Sequence, residues 1–172
     1  MRHTKERWIN KLGLTAHPEG GYYKQTFCSE NMVTITGKNE APRKAGTDIY
    51  YLMGSPVIGD FSAWHILNNL EESWHYHYGC DMIIYILDQG GNLTENRLGL
   101  GENSAFQVHV PANAWFCAVI DSNNPDDYSL VGCTVYPGFD FKDFALADRE
   151  TLSRQYPEHK SIIEKYTRKI LR

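Results

Sequence analysis

The sequence lacks any long apolar segment. Hydrophobic residues make up 42% of its 172 positions, yet they never form an uninterrupted run of about 18, the minimum for a helix that spans a bilayer. The first residues, MRHTKERWINKLGL, carry charges throughout and do not have the pattern of a secretory signal. We therefore expect a cytoplasmic protein that has no membrane partner.

The chain also lacks an excess of basic charge. Lysine and arginine number 17 against 21 aspartate and glutamate residues, and the formal net charge is −4. A protein that binds nucleic acid through a basic face needs the opposite balance. A nucleic-acid partner is therefore not expected.

Cysteine is scarce, and no C-x-x-C pair occurs. The four cysteines are widely separated, at Cys28, Cys80, Cys117 and Cys133. A chain of this length can bury enough apolar surface without disulfides, so reduced structural thiols are expected.

Short β-branched and aromatic runs, separated by turn residues, fill the middle of the chain. Ten such runs occur between about residues 20 and 137, and this spacing favours an all-β sandwich or barrel over a sheet with crossover helices. Helical periodicity occurs only on either side, at about residues 4–13 and 148–171, with Thr4 and Gly13 as expected caps of the first helix. No repeat or linker divides the chain, which indicates one domain over residues 1–172.

Histidine is concentrated in one segment. Three of the seven histidines, His65, His75 and His77, lie within 13 positions. Alternate side chains of a strand share a face, so His75 and His77 project to the same side about 7 Å apart. Two such imidazoles can bind one metal ion or one polar ligand, or can form a structural hydrogen-bond pair.

This segment resembles the first motif of the cupin superfamily, HxH followed by a carboxylate. The motif would consist of His75, Tyr76 and His77 with Asp81, and the second motif, P-x-G-x-x-H, would be PANAWF at residues 111–116. Phe116 stands where metal-binding cupins have their last histidine, and a phenyl ring cannot bind a metal. No cofactor is therefore expected, with a divalent metal on His75, His77 and Asp81 as the alternative.

Longer motifs are similar to those of the cupin 5 family, formerly a domain of unknown function. They are HPEGGYY at 17–23, TDIYYL at 47–52, ESWH at 72–75 and SLVGCTVYPGFDF at 129–141. The family resembles dTDP-4-dehydrorhamnose 3,5-epimerase in fold. This resemblance implies a double-stranded β-helix, the cupin jelly roll, with a pocket inside the barrel and usually a homodimer, but it implies no established reaction. One departure is Ile66, where family members commonly have an arginine that could hold an anion.

Four residues are candidates for catalysis. Histidine titrates near neutrality and suits acid–base chemistry, and in an epimerase-like reaction His65 would take a proton next to a carbonyl group. His75 and His77 follow from their shared face, whereas Glu72 could orient an imidazole or act as an acid although it has the opposite strand parity to His75.

A second set of residues is expected to bind a ligand. Large aromatic side chains can form a stacking floor for a sugar or base, although in an all-β protein they are also common in the core. Glu19 could contact the ligand or bond the amides of its own glycine turn. In the PGFDFKDF segment, three phenylalanines are expected to enter the core while Asp140 and Asp143 face outward. The expected ligand-binding residues are Glu19, Tyr22, Tyr50, Tyr85 and Trp115.

Three functions are compatible with these observations. The first is a protein that binds a small polar molecule in its barrel and acts as a metal-independent sugar-type epimerase or isomerase. The second is a metal-dependent cupin enzyme, either an oxygenase or a hydrolase. The third is a non-catalytic metabolite-binding protein, since one fold serves many roles.

Overall fold

A computed structural model describes residues 3–35 and 41–168. Thirteen strands are present in this part of the chain. Their bounds are β1 Thr15–Ala16, β2 Tyr22–Cys28, β3 Met32–Val33, β4 Arg43–Lys44, β5 Thr47–Gly54, β6 Ser62–Leu67, β7 Glu71–Gly79, β8 Met82–Leu87, β9 Leu93–Leu98, β10 Gln107–Val110, β11 Trp115–Ile120, β12 Tyr128–Tyr136 and β13 Phe144–Leu146.

The strands form two packed antiparallel sheets and a small hairpin. The first sheet has the order β1-β2-β5-β12-β7-β10 and the second has the order β13-β6-β11-β8-β9, while β3 pairs with β4. Most neighbouring strands are not consecutive in sequence, as β12 lying between β5 and β7 shows, and this is the connectivity of a jelly roll. The predicted all-β class and double-stranded β-helix are confirmed.

Short helices lie at either end of the strand region. They are α1 Lys5–Leu12, α2 Arg149–Gln155 and α3 Lys160–Lys165, with 3₁₀ turns at Pro56–Ile58, Phe141–Asp143 and Pro157–His159. Among the described residues, no helix has the length and apolar character needed to cross a membrane.

The first helix has the predicted caps. The Thr4 hydroxyl accepts a hydrogen bond from the Arg7 backbone N–H, and Gly13 closes the helix with a left-handed φ of 65°. The C-terminal helix is shorter than the sequence suggests. The Thr167 hydroxyl donates to the Ile163 carbonyl at 2.9 Å, an acceptor that a continuing helix would pair with a backbone N–H. The predicted positions 169–171 lie outside the described residues.

Three apolar clusters stabilise these layers. The largest lies between the two sheets and includes Trp74, Ile84 and Phe116. A second cluster packs α2 and α3 on the outside of the second sheet, and a third packs α1 on the outside of the first. Each sheet therefore buries apolar side chains on both faces, which explains the nearly continuous hydrophobic runs of β8, β11 and β12.

Candidate functional site

A cavity of about 380 Å³ opens at one end of the space between the two sheets. Its walls come from β2, β5, β7 and β12 of the first sheet, β6 and β13 of the second, the loop before β2 and the segment before β13. The lining residues are His17, Glu19, Tyr23, Gln25, Thr47, Ile49, His65, Leu67, Glu72, Cys133, Val135, Phe139, Asp140, Phe141 and Phe144.

A buried pair of side chains, Glu19 and His65, lies in the wall of this cavity. Strand alternation in β6 turns Trp64 outward toward the C-terminal helices and His65 inward. The loop before β2 supplies Glu19, whose Oε2 lies 2.9 Å from His65 Nε2. Only 3% of His65 and 5% of Glu19 is exposed, so this pair is shielded from bulk water.

The contacts of His65 determine its protonation. Its Nδ1 lies 2.7 Å from the Ala63 carbonyl oxygen, which can only accept, so Nδ1 donates. Burial disfavours the charged ring, but the Glu19 carboxylate, together with the Ala63 carbonyl and Glu72, raises the pKa of His65. Burial likewise opposes ionisation of Glu19, yet attraction to His65 lowers the pKa of Glu19. The pair is therefore an imidazolium and a carboxylate, with both ring nitrogens donating to protein acceptors.

His17 is in the opposite state. The Glu19 backbone N–H donates to His17 Nδ1 at 3.3 Å, so Nδ1 carries a lone pair and the ring proton is on Nε2. Burial lowers the pKa of His17, and the charged His65 acts in the same direction against the attraction of Glu19. Although His17 Nδ1 is 3.7 Å from a Glu19 oxygen, the contact is therefore not an ion pair.

Glu72 reaches the cavity from β7. It lies on the inward face of this strand with Trp74 and is 6% exposed. Burial raises the pKa of Glu72 to about 7; the Glu19 carboxylate acts in the same direction, and His65 opposes them. A carboxyl group that titrates near neutrality, in contact with a cavity, is suited to give and take a proton at physiological pH.

Phe116 packs against the buried pair. Its ring centroid lies 3.9 Å from that of His65, and the residue is 1% exposed. The position at which metal-binding cupins have a histidine therefore holds an apolar ring that excludes water from the pair.

The structure does not bring His75 and His77 to the cavity. They share a face of β7, as predicted, but it is the outer face of the first sheet, because β7 turns Glu72, Trp74 and Tyr76 inward. His75 contacts Gln107 and Thr134 at 3.0 and 3.3 Å. Of the four predicted catalytic residues, only His65 and Glu72 line the cavity.

Among the predicted ligand-binding residues, Glu19 alone lines the cavity. The other four are on the outer faces of the two sheets. Tyr22 and Tyr50 pack in the cluster beneath α1, whereas Tyr85 and Trp115 pack beneath the C-terminal helices. Tyr22 and Tyr50 have the strand parity opposite to that of the cavity residues Tyr23 and Ile49. The sequence shows large aromatic side chains at these four positions but does not show that helices cover them.

Asp81 has a structural role at the turn after β7. Its carboxylate accepts hydrogen bonds from the Leu100 and Gly101 backbone N–H groups, each at 2.9 Å, and from the Ser104 hydroxyl at 2.5 Å. His75, His77 and Asp81 are not assembled as a metal site, and within residues 3–35 and 41–168 no group of three or more His, Cys, Asp or Glu side chains could hold a metal ion.

Sequence reasoning missed several cavity residues. His17 and Tyr23 flank Glu19 in the HPEGGYY motif, and the strand parity of Tyr23, opposite to that of Tyr22, would have distinguished the two tyrosines. Phe139 and Phe144 pack against the core, as expected of the PGFDFKDF segment, but they also line the cavity together with Phe141. Asp140 lines it too, at the exposed mouth.

Two expectations for the PGFDFKDF segment are wrong. Phe141 is 51% exposed rather than in the core, and the Asp143 carboxylate is largely buried in an ion pair with Arg43 instead of facing outward.

Comparisons with known proteins agree with this architecture. The family model described as Cupin superfamily (DUF985) matches residues 6–147. The solved structure of a protein from Shewanella oneidensis is 33% identical in sequence, with a TM-score of 0.84, and the match covers 97% of this chain and 99% of that chain. A hypothetical protein from Leishmania major is 30% identical, with a TM-score of 0.86, and the match covers 96% of this chain and 99% of that chain.

More distant structures share the fold alone. The capsular polysaccharide assembling protein CapF from Staphylococcus aureus is 10% identical, with a TM-score of 0.55, and the match covers 78% of this chain and 34% of that chain. A search of the curated proteins finds no match.

Proposed function

The chain belongs to the Cupin_5 family (DUF985) of the cupin superfamily, and from this premise we propose that it binds a small polar molecule in the barrel cavity and isomerises or epimerises it by proton transfer. The observation that carries the proposal is Glu72, a buried carboxyl group with a pKa raised to about 7 by burial, in the same cavity as the Glu19–His65 ion pair. A volume of about 380 Å³ is within the range of small-molecule sites.

Glu72 is the proposed acid–base group. Its carboxylate would take a proton from the carbon next to a carbonyl group. The C–H electron pair then forms a C=C bond to the carbonyl carbon, and the carbonyl oxygen takes the negative charge of the resulting enolate. Reprotonation of the same carbon on its other face, after the enolate has turned relative to Glu72, inverts its configuration. Protonation of the former carbonyl carbon, with the proton of the neighbouring hydroxyl group passing to the enolate oxygen, moves the carbonyl. Neither outcome consumes a further reactant.

His65 would act through its charge. Both of its nitrogens donate to protein acceptors, so the ring has no lone pair with which to take a proton from a substrate. The imidazolium instead stabilises negative charge that develops on the enolate, an effect that is stronger in a cavity than in water. The Nε2–H of the neutral His17 is the donor that we assign to the substrate oxygen. We assign no part in this reaction to His75 and His77.

The experiment is exchange of carbon-bound hydrogen with solvent. A panel of aldoses, ketoses and their deoxy forms would be incubated with the protein in D₂O and followed by NMR. We expect at least one compound to gain deuterium with the wild type, and Glu72→Gln to slow this exchange by about 100-fold or more. His75→Ala is the matched control and should exchange at the wild-type rate.

The alternative is a non-catalytic metabolite-binding protein. It is favoured by the contacts of the two histidines that line the cavity: both nitrogens of His65 donate to protein acceptors, and the lone pair of His17 Nδ1 accepts from the Glu19 N–H. Neither imidazole of the described lining is therefore free to act as a base. Binding of a panel compound without deuterium gain, or unchanged exchange in Glu72→Gln, would contradict the proposed reaction and support this alternative.

A further inference from the structure

We infer that the ligand of the barrel cavity carries a positively charged nitrogen, so that its class is a small organic ammonium compound. This inference rests on the proposed function to the extent that both use the same cavity. It concerns the charge of the ligand, however, which can be measured without any turnover.

The charges in the cavity wall favour a cation. Three carboxyl groups line it, whereas none of the lining residues in the described part of the chain is lysine or arginine. Glu19 is neutralised by His65, and the exposed Asp140 lies 3.4 Å from Lys142 Nζ. Among these described lining residues, Glu72 is left as the buried acid without a cationic partner of its own.

The rings in the cavity wall have the same preference. Phe139, Phe141 and Phe144 form a cluster with centroid separations of 4.9 to 6.3 Å. Tyr23 also lines the cavity and packs against the His17 ring at 4.6 Å. Aromatic faces attract a cation within about 6 Å, and recognition of ammonium groups commonly combines such rings with a carboxylate.

An anionic ligand fits this cavity poorly. A carboxylate or phosphate would lie near Glu72 and Glu19 with no guanidinium or ammonium group of the described lining to pair with, and a buried charge without a partner is costly. The lining therefore disfavours ligands that carry a phosphate group, such as phosphate esters and nucleotide-linked sugars.

Binding of a cation should be coupled to the ionisation of Glu72. The groups that face its carboxyl are His65, Glu19, the Trp74 indole N–H and the Cys133 thiol, and only His65 is cationic. A bound ammonium group would favour the Glu72 carboxylate over the protonated acid. The affinity for an amine that stays protonated over this range should therefore rise as the pH increases from about 6 to about 8.

The test uses three compounds of one shape and three charges: benzylamine, benzyl alcohol and benzoate. Dissociation constants would be measured by ligand-observed NMR or calorimetry at a pH of about 8, where Glu72 is ionised. We expect benzylamine to bind at least about tenfold more tightly than benzyl alcohol, and benzoate to bind more weakly than both. Glu72→Gln should reduce the affinity for benzylamine to that for the alcohol.

The matched control is Glu71→Gln, which removes the same charge from the adjacent, outward-facing residue and should leave the preference for benzylamine intact. The inference is overturned if the alcohol or benzoate binds as tightly as the amine, if none of the three binds, or if Glu71→Gln has the effect expected of Glu72→Gln. Should Glu72→Gln fail to fold, the wild type still decides, because an affinity for benzylamine that does not change with pH contradicts the inference.

The two proposals fail separately. Preference for the amine without deuterium exchange in any compound would contradict the reaction and leave the ligand class standing. Deuterium exchange on neutral sugars without any preference for the amine would contradict the ligand class and leave the proposed reaction standing.

Discussion

At the scale of single residues, the chemistry of the cavity depends on which atoms of each acid and imidazole are already bonded. His17 and His65 both contact Glu19, yet one is neutral and the other charged. The difference arises because Nδ1 of His17 accepts from a backbone N–H, whereas Nδ1 of His65 faces a carbonyl oxygen. The residue type alone therefore does not reveal which imidazole carries a proton.

Glu72 should make the stability of the protein depend on pH. Its pKa is raised from an ordinary value of 4.5 to about 7, so the folded state binds the proton more tightly than the unfolded state does. Its favourable contribution to the free energy of unfolding is complete below about pH 4.5 and is lost as the pH rises through about 7, by about 3 kcal/mol. Urea unfolding of the wild type and Glu72→Gln across this range would measure it.

The expected result is a difference between the two proteins that moves in favour of Glu72→Gln as the pH rises, because a neutral amide has no proton to lose. Glu71→Gln, at the exposed neighbouring position, should follow the wild type. Parallel curves for the wild type and Glu72→Gln would show that Glu72 titrates as an ordinary glutamate.

At the scale of elements, the loop before β2 positions the ion pair. The Tyr51 hydroxyl donates to the Gly20 carbonyl at 2.6 Å, and the Gly21 N–H donates to Asp60 Oδ1 at 3.1 Å. Arg168 donates to the Glu19 carbonyl at 3.1 Å, so the end of the described chain also holds the loop. These contacts from three separate segments keep the Glu19 carboxylate at His65.

Gly20 is a position at which this loop tolerates no side chain. Its φ is 119°, and a Cβ atom would lie 2.2 Å from the Phe61 carbonyl oxygen. Gly20→Ala should therefore displace the loop, destabilise the protein by about 3 kcal/mol or more, and separate Glu19 from His65. Thermal or urea unfolding measures the first effect, and ¹⁵N NMR of the His65 ring measures the loss of its second proton.

Gly59→Ala is the matched control for this substitution. Gly59 also has a positive φ, of 77°, but a Cβ atom at this position would have no neighbouring atom within 4 Å. Only the backbone conformation should then cost stability, about 1 kcal/mol, and His65 should remain protonated. Equal losses for the two alanine variants would show that the close approach to Phe61 does not hold the loop.

At the scale of the whole molecule, helices cover the outer faces of the two sheets to different extents. Helices α2 and α3 cover the second sheet, with Ile163 and Leu152 almost completely buried. Helix α1 covers only part of the first sheet, around Leu52 and Leu130. The remaining outer face of that sheet presents His75 and His77.

A homodimer remains a prediction from the family resemblance. Sedimentation equilibrium at micromolar concentration should report a mass of about twice the 19.7 kDa of one chain. A mass of one chain over the same concentration range would contradict it, and neither result depends on the ligand proposed for the cavity.

Much of the fold could be predicted from local patterns. Alternating and β-branched runs between turn residues indicated the strands, and Thr4 and Gly13 indicated the ends of α1, because strand alternation and helix capping depend on residues close in sequence. The pairing of β12 with both β5 and β7 could not be obtained this way. It depends on contacts between residues that are far apart in the chain.

For the candidate site too, features that depend on nearby residues could be predicted, whereas features that depend on distant contacts could not. The sequence alone determined the all-β class, the family, and the fact that His75 and His77 share a face opposite to Glu72, since each follows from composition, motif or strand periodicity. Only the tertiary structure decided which of the two faces of β7 is turned toward the cavity. It did so because the other sheet packs on the side of Glu72, Trp74 and Tyr76, and because the loop of Glu19 closes over His65 from a distant part of the chain.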